Sequence, residues 1–316
     1  MKYVKLGSLA VVIAALLWSL DGLLRRNLYD LPPSVVVFYE HIFGLIILLP
    51  FILFTLKSFK KLTKKQWLAI IGVSFLSGAL GTILYTAALG QIQYIPFSVV
   101  VLLQQLNPVF AIIAAAILLK EPLTKKFFVL AAIALIAAYF VTFPDYVANF
   151  STGSGTVLAA LFAVGAAAAW GTSTAFSKYA LKNTSSVHIT AARFAFTPIF
   201  AFMFILASGS IGQVTAVSAG QFKYIVAITF STGLMALLIY YFGLKRVPAS
   251  RSAILELAWP LSAVIVGYLF LNQTLQLSQA IAAIVLTTAI IFIAKDAQKA
   301  AFVKSKEPSK TKVAEQ

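Results

Sequence analysis

Asp21, Glu40, His41, Gln104, Arg193 and Glu256 each interrupt a run of apolar residues. Polar and ionisable groups embedded in such runs are costly in hydrocarbon, so they face a cavity, an ion path or one another. Their types define the chemistry open to them. Arg193 offers a planar fork that donates two parallel hydrogen bonds, which suits either a static ion pair with Glu256 or a clamp on a solute carboxylate. His41 beside Glu40 has the makings of a proton relay, because small shifts carry an imidazole across neutral pH. Adjacent helical residues diverge by roughly 100°, however, and a purely structural histidine fits equally. Asp21 and Arg25 stand four apart on one helix, a spacing at which they can simply neutralise each other. Asp21, Glu40 and Glu256 are the candidates for proton coupling.

Neutral groups complete the set. Gln104 and Gln105 either reach a cavity or hydrogen-bond across helices. Trp18 and Trp170 lie too deep in their runs for an interfacial belt, so they line a cavity or pack between helices; Tyr85, Tyr240 and Tyr241 are similar. Pro108 and Pro260 fall in the middle of apolar runs, where a proline removes a backbone bond and kinks a helix. The candidate cavity residues are therefore Trp18, Asp21, His41, Tyr85, Gln104, Trp170, Arg193, Tyr240 and Glu256.

Other chemistry finds little footing. No GxxxxGK[ST] loop occurs, so the chain has no nucleotide-binding signature of its own. There is no cysteine and there are two histidines, His41 and His188, far apart in sequence; neither a metal site nor a cofactor is expected. No acid–base–nucleophile set can be read for an enzyme.

The elements that must position these groups are membrane helices. The 316 residues are 61% hydrophobic and 11% charged, against about 45–50% and about 25% in soluble domains, so the solvent of the fold is lipid. The net charge of +16 sits in short clusters between apolar runs, which argues for loops beside anionic lipid and against a nucleic-acid partner. Ten runs are long enough to span a core of about 30 Å, at 6–27, 34–56, 67–89, 96–119, 127–143, 156–178, 187–208, 222–243, 249–271 and 278–295. Lys and Arg fall before the first run and in every second connection, including Lys57, Lys60, Lys61, Lys120, Lys178 and Lys245, with Arg25 and Arg26 the main exception. That alternation puts both termini in the cytoplasm.

The chain also contains one pattern twice. Residues 95–123 lie over 247–275 without a gap, matching Pro96 with Pro248, Ser98 with Ser250 and Pro108 with Pro260 at a spacing of 152. The same spacing pairs Trp18 with Trp170 and Gly81 with Gly233, as a duplicated unit would. Five helices per copy is an odd number, so the second copy enters the membrane inverted. The expected fold is an all-α membrane protein of ten transmembrane helices in two inverted five-helix repeats, at 6–143 and 156–295, followed by a disordered basic cytoplasmic tail at 296–316. By helical rise, Asp21, His41 and Gln104 lie roughly 6 Å to one side of the midplane and Arg193 and Glu256 about as far to the other.

Taken together, Leu17-Trp18-Ser19, Trp170-Gly171-Thr172, Ala192-Arg193-Phe194, Asn107-Pro108 and Lys120-Glu121-Pro122-Leu123 resemble the EamA branch of the drug/metabolite transporter superfamily. The resemblance covers about 6–295. It implies ten helices, a central cavity between the halves, and alternating access without ATP for small organic solutes such as amino acids. Glu40-His41 departs from the arginine-containing pair usual there, and Gln273 stands where the repeat mate of Glu121 would be acidic. The expectation is a permease of the cytoplasmic membrane that moves an amino-acid-like or amphipathic metabolite, with export favoured by the resemblance alone. Two rivals from other classes are a lipid-handling flippase and a membrane-embedded enzyme.

Overall fold

The computed structural model describes residues 2–90, 103, 104, 106–142, 155–262 and 276–306, all helix or connection with no strand among them. The first repeat supplies α1 (Lys2–Trp18), α2 (Asp21–Arg25), α3 (Pro33–Phe54), α4 (Lys64–Val73), α5 (Gly81–Gly90), α6 (Asn107–Leu119) and α7 (Lys125–Thr142). The second supplies α8 (Gly155–Ala180), α9 (Ser186–Ala207), α10 (Ala219–Ile228), α11 (Leu234–Leu244), α12 (Ala249–Leu255) and α13 (Leu277–Lys306). Six helical stretches are long and apolar enough to cross a membrane, and the apolar α6 and the first part of α13 are shorter. The connection at 91–94, the start of the fourth expected run, Gln105, most of the link at 143–154, and 263–275 with Gln273 lie outside the described residues.

Local chemistry explains the paired design. α4 and α10 each open on a capping box, Thr63 with Gln66 and Ser218 with Gln221, in which the hydroxyl accepts from the backbone and the amide reaches back. Each then passes through a π-helical segment, Ser74–Leu80 and Thr229–Gly233, before continuing as α5 and α11. Such bulges concentrate at functional sites.

The packing is antiparallel between copies. Along α3 and α9, which are repeat mates, Phe38 meets Phe202, Gly44 lies against Phe194, and Phe51 meets His188. The numbers rise on one helix as they fall on the other, so the two copies stand opposite ways up. α1 packs along α11 and α8 along α4 and α5, which exchange when the copies are swapped; α3 with α9, α6 with α12 and α7 with α13 map onto themselves. Outward faces are apolar, with Phe54, Leu68, Ile117 and Ile284 largely exposed, while Ala, Ser and Thr fill the interior. A soluble fold reverses that order.

Two expectations are corrected. Pro108 and Pro260 do not kink continuous helices. Leu106 forms a turn and α6 starts afresh at Asn107, with Pro108 in its first turn; Glu256 and Leu257 form a turn after α12, with helix resuming at Ala258. In a first helical turn the missing N–H would have had no intrahelical partner anyway, so the chain breaks the helix just before each proline. The second correction concerns the tail: α13 runs on to Lys306, so the first part of the stretch expected to be disordered is helical. Its Ala, Lys and Gln residues are good helix formers.

The start of α6 is seated on Gly171 of α8. A Cβ built at Gly171 would lie 2.5 Å from the Asn107 carbonyl oxygen and 2.7 Å from the Phe110 Cβ, whereas one at Gly72 would meet nothing within 4 Å. Gly171→Ala is expected to lower stability by about 1–3 kcal/mol, read as thermal unfolding of the purified protein in detergent, and Gly72→Ala to leave it unchanged or raised. Equal midpoints for both would contradict this seating.

Candidate functional site

Where α1 ends at Trp18 the chain turns and re-forms as α2, which carries Asp21 and Arg25 inward. Arg25 donates from Nε to Asp21, from Nη2 to Glu40 at 2.8 Å, and from Nη1 towards Thr86 at 3.5 Å. Asp21 also accepts from Thr232 of the second repeat at 2.6 Å. All three charged groups are buried. Asp21 and Arg25 thus do neutralise each other, but Glu40 joins them, so one cation stands between two carboxylates at a junction of α2, α3, α5 and the second π segment. His41 lies on the same wall, its Nδ1 at 2.9 Å from the Val37 carbonyl and its ring 4.7 Å from that of Phe194.

A second polar group forms on α11 and α12. Glu256, at the helix break, accepts from Tyr240 at 2.8 Å and from Ser252 at 3.5 Å, with no cation bonded to it among the described residues. Arg193 donates instead to the Tyr241 hydroxyl at 3.1 Å, which Ser177 also meets at 3.1 Å. The ion pair between Arg193 and Glu256, one of the two arrangements open from sequence, is not formed; neighbouring tyrosines separate their bonding. Tyr240 stacks tilted against Trp18, ring centroids 5.1 Å apart, and Tyr85 does the same with Trp170 at 5.1 Å.

The third group is amide. Gln104 donates to the Ala163 carbonyl of α8 at 2.6 Å, and Asn107 stands at the start of α6.

These groups surround a cavity of about 210 Å³. Drug-sized ligand sites run to about 300–1,000 Å³, so a multi-ring solute requires the two repeats to part further than they do here. Trp18, Asp21, His41, Tyr85, Gln104, Trp170, Arg193, Tyr240 and Glu256 all line it, as does Glu40. So do Arg25, Asn107, Thr174, Thr232 and Trp259, which the sequence reading did not place there. Asn107 and Trp259 adjoin the two mid-run prolines, and that adjacency was the available signal; for Arg25, bonding to a residue fifteen positions away on another helix, there was none. Among the described residues no three His, Asp or Glu side chains gather as a metal site would require.

At the end of the bundle where α1 begins, two further side chains tie the repeats together. The Glu121 carboxylate accepts from the backbone N–H groups of Ala249 and Ser250 at 2.7 and 3.0 Å, and the Gln66 amide donates to the Ala180 and Lys182 carbonyls. Towards the other end Thr232 meets Asp21, and the Tyr39 hydroxyl donates to the Val214 carbonyl at 2.7 Å.

Comparison with known proteins follows the same two-part division. The model of the EamA-like transporter family matches residues 5–143 and again 157–295. A curated relative, "Riboflavin transporter ImpX" of Fusobacterium nucleatum subsp. nucleatum, is 34% identical over 293 residues, spanning 92% of this chain and 97% of its own. A solved structure described as "Crystal structure of protein" shares the fold with a TM-score of 0.72 at 18% identity, covering 93% of this chain and 97% of that one.

Proposed function

The chain belongs to the EamA-like transporter family, and from that premise we propose that it carries riboflavin, or a solute with the same flat ring system, by alternating access. As a member it is a multi-pass membrane transporter of a small metabolite, not an enzyme. The observation that carries the finer reading is the cavity between inverted repeats, in which Trp18, Tyr85, Trp170, Tyr240 and Trp259 surround polar groups. Aromatic rings stack on a flat heterocycle in offset or edge geometry, and the named relative supplies the candidate.

In this proposal ten helices span a cytoplasmic membrane with both termini inside, so the end tied by Glu121 and Gln66 faces the cytoplasm. The bonds of Asp21 to Thr232 and of Tyr39 to Val214 hold the outer end. Alternating access requires the two sets to open in turn, a rocking of one repeat on the other about a fixed site. Of the three carboxylates proposed for proton coupling, Asp21 and Glu40 are occupied by Arg25, which leaves Glu256 as the group free to exchange a proton with the medium.

The test is flux of riboflavin into proteoliposomes of the purified protein. Saturable entry above that of protein-free vesicles is expected; entry no faster than in those vesicles overturns the flavin reading and leaves family membership intact. The same vesicles read direction and driving force: efflux from preloaded vesicles that outpaces influx supports export, and accumulation only under a pH gradient supports coupling over facilitated diffusion.

A further inference from the structure

Buried polar atoms in folded chains are almost always hydrogen-bonded, so each exception calls for an explanation. Among the described residues the buried side-chain atoms without a partner are Ser8 Oγ, Gln104 Oε1, Asn107 Oδ1, both ring nitrogens of His188, and Arg193 Nε. Gln104, Asn107 and Arg193 all line the central cavity, where an absent ligand is the natural explanation.

Their chemistry is specific. Gln104 is 7% exposed, and because its Nε2 donates to the Ala163 carbonyl, its Oε1 is left as an acceptor. An amide assigned in this way from its own bonding has no freedom to swap roles. Among the described residues Asn107 Oδ1 has no partner, so its amide adds a second acceptor beside the N–H donor that every carboxamide carries, and Arg193 Nε is a further unpartnered donor on the cavity wall. The backbone at Asn107 is seated closely on Gly171, which fixes where its side chain leaves the start of α6.

We propose that Gln104 and Asn107 read an adjacent N–H and C=O on the edge of the carried ring. The substrate class is then a flat heteroaromatic lactam or imide. This rests on the flavin reading and sharpens it, since riboflavin presents such an edge on its pyrimidine ring, an N–H between two carbonyls. A phosphate ester of the same ring is the wrong substrate: it would bring two negative charges beside Asp21, Glu40 and Glu256, while Arg25 is already bonded to two of those carboxylates.

The experiment is competition against labelled riboflavin uptake in proteoliposomes, using unlabelled riboflavin, its N3-methyl derivative and its 5′-phosphate. The methyl group removes the donor and blocks the edge without altering the ring face. In the wild type N3-methylriboflavin is expected to compete about tenfold to a hundredfold more weakly than riboflavin, as a site built to hydrogen-bond a group rejects the analogue lacking it, and the phosphate is expected to compete little. In Asn107→Leu and Gln104→Leu the preference for riboflavin over the N3-methyl compound is expected to shrink towards equality, a ratio that a general loss of folding would not change. Equal competition in the wild type overturns the edge assignment while leaving the flavin reading standing; no riboflavin uptake at all overturns both. The wild-type comparison decides the matter even where a variant does not fold.

Discussion

Arg25→Met is expected to abolish transport and to cost the folded protein about 3–5 kcal/mol, the usual penalty for leaving a buried ionic partner unpaired. The side chain is 3% exposed and bonds two carboxylates, Asp21 and Glu40, that are themselves buried. Methionine fills similar space and removes the charge, so two buried acids face each other without the cation between them. The loss is measured by thermal unfolding in detergent, beside the triple variant Asp21→Asn, Arg25→Met, Glu40→Gln. That neutral set is expected to recover most of the stability, since replacing a whole buried ionic group is far cheaper than removing one member. If Arg25→Met alone unfolds at the wild-type temperature, the triad is solvated and does not hold the junction. Transport is expected to stay impaired in the triple variant, because the bond from Thr232 to a charged Asp21 that ties the two repeats has been weakened.

That triad shows where sequence reasoning reaches and where it stops. The duplication was legible because two prolines and a tryptophan recur at one spacing, and the inversion followed from an odd helix count per copy; the antiparallel contacts of α3 with α9 show the same relation. The cavity-lining side chains were legible as types, because a charge inside an apolar run has few places to go. Their partners were not. Type and depth left Arg193 and Glu256 open to an ion pair or to a clamp on a solute, and neither signal shows which neighbour a side chain meets: they bond to Tyr241 and Tyr240. Periodicity also cannot tell a kinked helix from a broken one. Pro108 suits either, and only the backbone shows that Leu106 turns and Asn107 begins again, which is what brings the Asn107 amide to the cavity wall.

Glu256→Gln is expected to remove accumulation driven by a pH gradient while preserving exchange of substrate between the two sides. The carboxylate accepts from the hydroxyls of Tyr240 and Ser252, and Thr174 lies within 3.4 Å of Tyr240. Arg193, His41 and the Arg25 triad line the same cavity without bonding to it. An ion held this way in a low-dielectric site carries a desolvation cost of several kcal/mol, which a proton cancels and a distant cation does not. If the empty carrier must cross between its two states with that charge neutralised, a proton travels with each return, and the gradient drives the cycle. Glutamine keeps the shape and still accepts from both hydroxyls, yet holds no exchangeable proton, so the return step proceeds without one. Counterflow, in which internal unlabelled substrate drives entry of label, is expected to run at a rate within about threefold of the wild type, a difference under about 1 kcal/mol in the barrier. Accumulation above equilibrium is expected to fall to that of a facilitated carrier. Gradient-driven accumulation that survives in Glu256→Gln would move coupling to another group or remove it altogether. Loss of counterflow as well would make Glu256 part of the substrate's own binding contacts, and these two results are distinguishable in the same vesicles on the same day.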